Sequence, residues 1–162
     1  ADEEAEPAFF HHPGDTVPRV ERAGVRLDVV AGTAYGVASP VRVHSPTLYV
    51  AATLQAGATQ AVDTGHEERA VYVADGLLDI DGARLGSGQM AVFTPGAAVV
   101  LEALADTRAM LLGGAPLDGP RHLWWNFVAS APDRIERAKR DWREGRFALP
   151  PGETESIPLP ER

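Results

Sequence analysis

His66 and Glu68 are the side chains of this 162-residue chain whose types and spacing come nearest to chemistry. An imidazole and a carboxylate two residues apart on a strand face the same side, where they could act as an acid–base pair or as a weak two-ligand metal site. Two-residue coincidences are common, however. A strand entrance, with His66 at the rim and Glu68 hydrogen-bonded to a neighbour, accounts for the pair more simply. His11 and His12 are adjacent, so in an extended segment their rings point to opposite faces and are poorly placed to share one ion. His44 and His122 stand singly, beside a turn and beside a tryptophan pair, and read as packing or hydrogen-bonding residues. The chain has no P-loop, no Gly-rich dinucleotide motif and no G-x-S-x-G elbow. It also has no cysteine, which excludes disulfides, thiolate zinc sites and thiol nucleophiles and agrees with a reducing, cytoplasmic setting.

The second chemical feature is aromatic. Trp124, Trp125, Asn126 and Phe127 lie in the run PRHLWWNFV, Pro120–Val128. Adjacent indoles in a surface connector leave rings and N–H groups uncovered, so something must cover or use them. Stacking on a small aromatic ligand is one use. Anchoring an interface together with Trp142 is the other, and it is preferred because paired aromatics contribute mainly through burial and are enriched at interfaces.

The elements that must position these residues are mostly short strands. Apolar runs at Val25–Val30, Thr47–Leu54, Arg69–Ala74, Leu77–Ile80, Met90–Phe93, Val99–Leu104 and Ala109–Leu112 are punctuated by glycine and proline. Asp81-Gly82 between Leu77–Ile80 and Ala83–Leu85 signals a tight hairpin, because both residues accept positive φ. One helix is predicted after Ser130, which would cap it, with Pro132 and Asp133 in its first turn and Gly145 beyond its end. Ile135, Ala138 and Trp142 fall at i, i+3 and i+7 and form a narrow apolar stripe. The run LPPGETESIPLP that follows favours an extended strap.

Composition bounds the partners. A chain of this length fits one domain that can bury about 70% of its unfolded surface without covalent staples. A net charge of −8 argues against nucleic acid and anionic membranes as partners. The one basic cluster, Arg134, Arg137, Lys139, Arg140 and Arg143, is interleaved with acids and reads as a solvated helix face with pairs such as Glu136–Arg140. No apolar run reaches membrane-spanning length. The acidic start, ADEEAEPAFFHHPGDTVPRV, reads as a linker-like segment over 1–22, ahead of a strand-rich body over 23–115 and a loop, helix and tail over 116–162.

The words GGAPLDGPRHLWWNFV, the helix SAPDRIERAKRDWREGRF and the tail ending in IPLP closely resemble the C-terminal signature of the pirin family, a branch of the cupin superfamily. The resemblance implies an all-β fold, a cupin-type jelly-roll β-barrel with one C-terminal α-helix and an extended proline-rich tail. It implies two cupin barrels in a longer protein, of which this chain looks like the second, with Trp124, Trp125, Asn126, Phe127 and Trp142 at a domain interface. In cupin enzymes a His-x-His…Glu…Gly motif and a later histidine bind a divalent metal. Aligned on Gly76, Val62 and Thr64 occupy the histidine positions and Glu68 the glutamate. The Pro95-Gly96 turn puts Val99 at the last histidine. Three of four ligands are lost, so this half is expected to hold no metal and no catalytic residue. Iron or another divalent metal is expected in the N-terminal barrel, the partner the resemblance implies. Quercetin 2,3-dioxygenase activity, or regulatory binding to a transcription factor or metabolic enzyme, are the two functions implied for the whole protein.

Overall fold

A computed structural model describes residues 9–149 and 152–160, which divide into two compact units, 9–116 and 117–160. The first unit holds eleven strands: β1 (Arg19–Arg22), β2 (Val25–Ala34), β3 (Val37–Ala38), β4 (Thr47–Leu54), β5 (Thr59–Ala61), β6 (Glu68–Asp75), β7 (Leu77–Ile80), β8 (Ala83–Gly86), β9 (Met90–Phe93), β10 (Val100–Ala103) and β11 (Thr107–Gly114). They form an antiparallel seven-stranded sheet in the order β1-β2-β4-β11-β6-β9, with β3 paired to β2, and a four-stranded sheet in the order β5-β10-β7-β8. Part of the segment read as linker-like is thus structured, since Arg19–Arg22 is the edge strand beside β2.

Alternation builds the core. Along β2, β4, β6 and β11 every second side chain is buried. Leu27, Val29, Val50, Leu54, Val71, Val73 and Leu111 from the large sheet join Leu78, Leu101 and Ala103 from the small one in a single cluster. Each fully buried aliphatic side chain contributes roughly 1.5–3 kcal/mol. The two sheets thus enclose one apolar interior in a cupin-like fold. The tip of the β7–β8 hairpin is the Asp81-Gly82 turn expected from the sequence, with φ of 52° and 84°. Thr107 is the buried polar residue that closes the opposite end of this hairpin region. Its hydroxyl accepts from the Leu77 N–H at 3.1 Å and lies 2.8 Å from the Ala105 carbonyl.

The second unit holds the hairpin β12 (His122–Trp124) and β13 (Phe127–Ala129), helix α1 (Pro132–Arg143) and an irregular tail through residue 160. The N-cap is Ala131, one residue later than the Ser130 expected, and it makes no side-chain capping bond. Pro132 explains the shift. It favours N1, where its fixed φ suits the helix and its missing N–H costs nothing. Ile135 is the buried residue of the helix, with Ala138 and Trp142 half-buried along the same stripe. The basic partner of Glu136 is Lys139, at 2.6 Å, in place of the expected Arg140.

Candidate functional site

The end of the core where β6 begins is where the sequence placed a degenerate metal motif, and alternation on β6 decides what points inward. Arg69, Val71 and Val73 are buried, whereas Glu68 is exposed. The residue at the inner position is therefore Arg69, one place along from the expected Glu68. The reason is local. The segment after β5 has no regular structure over 62–64 and bends through 65–67, so a two-residue period counted from Val62 does not carry across to β6.

Val62 and Val99 do come together. The Val62 N–H donates to the Val99 carbonyl at 2.9 Å, and both side chains lie in the core. Thr64 is exposed. His66 sits half-buried in the bend, its Nε2 donating to the Thr33 carbonyl at 3.1 Å, a bond that assigns the proton to that nitrogen. It serves as a rim hydrogen bond, with Glu68 exposed at the start of β6. His11, His44 and His122 are scattered over other segments. Among the described residues no group of three or more histidine, aspartate or glutamate side chains could hold a metal ion.

The polar groups at this end tie loops together. The Asp63 carboxylate accepts from the Tyr35 N–H at 2.9 Å and from the Gly65 N–H at 2.8 Å. The Tyr35 hydroxyl accepts from the Asp63 N–H at 3.2 Å and donates to the Ala61 carbonyl at 3.3 Å, and burial pushes its phenol above the usual tyrosine range. Tyr35 holds a left-handed φ of 52°. Gln60, 2% exposed, donates to the Ala61 carbonyl at 2.6 Å. Arg69, also 2% exposed, donates from Nη1 to the Asp63 carbonyl at 3.3 Å and from Nη2 to the Ala97 carbonyl at 2.7 Å. Its Nε has no partner. A divalent ion wants several imidazole or carboxylate donors converging on one point. Two valines, an exposed threonine, an exposed glutamate and a buried guanidinium do not fit one.

In the second unit the aromatic residues singled out in the sequence form one cluster. Trp125 and Trp142 meet edge to face with centroids 5.1 Å apart, Phe127 lies 6.0 Å from Trp142, and Phe147 lies 5.5 Å from Trp142 and 5.9 Å from Phe127. Trp124 stacks on Phe127 at 6.2 Å and carries the Lys139 ammonium 4.3 Å above its ring. The Trp142 indole N–H donates to the Ile157 carbonyl at 2.8 Å, fixing the tail to the helix end. Beside that bond lies a groove of about 670 Å³ walled by Trp142, Phe147, Leu149, Ile157 and Leu159. Trp125 and Asn126 make the exposed turn between β12 and β13, and Trp125 is 42% exposed with a φ of 52°. A large aromatic residue in that backbone region is strained, and such strain clusters at functional sites.

Residues 49–148 match the family described as the pirin C-terminal cupin domain. A pirin-like protein of Caulobacter vibrioides is 48% identical over 98% of this chain, which covers 56% of that protein. A Pseudomonas aeruginosa protein carrying the provisional name quercetin 2,3-dioxygenase is 33% identical over 86% of this chain and 44% of its own length. The crystal structure of a quercetin 2,3-dioxygenase from Acinetobacter baumannii superposes with a TM-score of 0.81 at 29% identity, over 98% of this chain and 55% of the other. The chain thus spans about half the length of the relatives it matches. No helix among the described residues is long and apolar enough to cross a membrane.

Proposed function

The chain belongs to the pirin family, as a C-terminal cupin domain, and we propose that it is the metal-free half of a two-barrel protein. The other half would carry the metal and the quercetin 2,3-dioxygenase activity that relatives bear in their names. The observation that carries this reading is the interior at β6. The inward position holds Arg69, and Val62 and Val99, which the motif alignment sets at the histidine positions, are buried in the apolar core. An apolar, cation-bearing interior offers no imidazole or carboxylate ligands for a metal.

The half-length match to relatives supports a missing partner barrel. The strained, exposed Trp125 and the apolar groove beside Trp142 offer it a surface of the kind that interfaces use, aromatic at the centre and polar at the rim. Metal analysis of the dialysed chain, with oxygen consumption on quercetin, tests the reading. The expected result is no retained stoichiometric ion and no turnover. One tightly held iron, nickel or copper per chain with turnover would overturn it.

A further inference from the structure

Arg69 is a charged side chain buried beside a core of valine, leucine, alanine and phenylalanine, and no carboxylate pairs with it among the described residues. Guanidinium cannot shed its proton in a protein, so burial cannot neutralise it. Asp63, on the irregular stretch after β5, spends its carboxylate on the Tyr35 and Gly65 amides. What Arg69 meets instead are two backbone carbonyls from two different segments. One is that of Asp63 itself, and the other is that of Ala97, in the turn before β10. These segments carry the two halves of the lost cupin motif, Val62–Thr64 and Pro95–Val99. A metal bound by that motif would join them.

We infer that the Arg69 guanidinium does this joining itself. It is an internal cationic cross-link that holds the 62–65 segment to the 95–99 turn, and its charge keeps divalent ions out of the core. The planar fork suits the task. Its donors diverge in fixed directions and reach two carbonyls at once, which a single ammonium cannot do as well. The cross-link stands on the geometry alone. The exclusion of metal rests on the reading of this half as a cupin with its ligand positions lost.

Amide exchange tests the cross-link in the chain as it stands. The reporters are the Val62, Gly65 and Ala97 amides, which bond to the Val99 carbonyl, the Asp63 carboxylate and the Thr94 carbonyl. In Arg69→Met they should exchange on the order of tenfold faster while the β6–β11 ladder keeps its protection, the signature of local opening. In Arg69→Lys one segment should loosen and the other hold. Reporter amides unchanged in both variants, or rising in step with the ladder, would overturn the cross-link and leave Arg69 a packing residue.

Nickel melting curves test the exclusion separately. The variant Val62→His, Val99→His and Arg69→Glu should gain about 5–10 °C at a hundredfold excess over its Kd. The double variant Val62→His and Val99→His, with Arg69 retained, should gain nothing. A rise in both, or in neither, would overturn the claim that the guanidinium occupies the ligand centre. The metal analysis of the parent chain reports on the proposed function independently of either result.

Discussion

Trp142 is the residue on which the second unit turns, and replacing it should release the tail while the sheets stay intact. Its ring contacts Trp125, Phe127 and Phe147 at centroid separations of 5.1, 6.0 and 5.5 Å. Each such pair is worth about 0.5–1.5 kcal/mol beyond area burial, and the indole bond to the Ile157 carbonyl adds about 1 kcal/mol. Because Trp142 is only half-buried, the lower end applies, and Trp142→Ala should cost about 3 kcal/mol. At about 1.4 kcal/mol per decade that is on the order of a hundredfold loss of protection. Amide exchange should show it over 122–129 and 132–143, with the β2–β4 and β4–β11 ladders unchanged. Trp142→Phe keeps a ring and loses the N–H, so it should cost about 1 kcal/mol and loosen mainly the tail. Limited proteolysis gives the same ranking by a second route, with cleavage after residue 144 fastest in the alanine variant. If Trp142→Ala leaves the exchange of Leu123, Val128 and Leu159 as in the parent, the aromatic cluster is not what holds this unit together.

The raised phenol of Tyr35 sets an alkaline limit: the unfolded side chain ionises near pH 10, so stability is complete below about pH 10 and falls as pH climbs toward the higher folded value. Denaturation curves from about pH 8 to 11.5 should show that fall flattened in Tyr35→Phe, at a cost of about 1–2 kcal/mol at the lower end, and an equal slope in both proteins would refute it. Gly32 has a φ of 81°, and a Cβ there would lie 1.6 Å from the Thr47 carbonyl oxygen. Gly32→Ala must therefore push β2 off β4, and a melting temperature within about 3 °C of the parent's would be incompatible with an expected loss of about 3 kcal/mol or more. The N-terminal half of the Caulobacter relative, added in trans, should bind this chain by calorimetry, with Trp125→Ala weakening it at least about tenfold. A monomer indifferent to that half would count against the proposed interface.

Where sequence period and structure share a cause, the fold was legible. The runs at Thr47–Leu54, Leu77–Ile80 and Met90–Phe93 coincide with β4, β7 and β9, because along β4 alternation and burial are the same fact seen twice, and β7 and β9 are short apolar runs bounded by turn residues. Asp81-Gly82 was legible because its residue types demand its turn. The strands β3, β5, β12 and β13 are two or three residues long, too short for a period to emerge, and β1, RVER, is mostly charged and has no apolar run to mark it. Tyr35 and Trp125 turn the chain with positive φ but are not turn-formers, so composition hid both turns. The inward Arg69 had a signal that outranks motif spacing. It lies in phase with Val71 and Val73, whereas Glu68 lies out of phase with both.

That phase relation makes the energetics of the interior a test of purpose. Burying an unpaired guanidinium costs several kcal/mol, whereas each bond from a charged donor to a carbonyl returns about 1.5–3 kcal/mol. With two such bonds and an orphaned Nε, Arg69 comes close to breaking even. A side chain kept for stability alone would be better replaced by methionine, which has a similar apolar reach and no charge to desolvate. One kept to place loops responds in opposite directions at the two levels of measurement. Arg69→Met should then leave the melting temperature of the whole chain near or above the parent's, even as the Val62, Gly65 and Ala97 amides open. Global stability and local protection parting in this way would distinguish a positional cross-link from ordinary core packing, in which the two fall together.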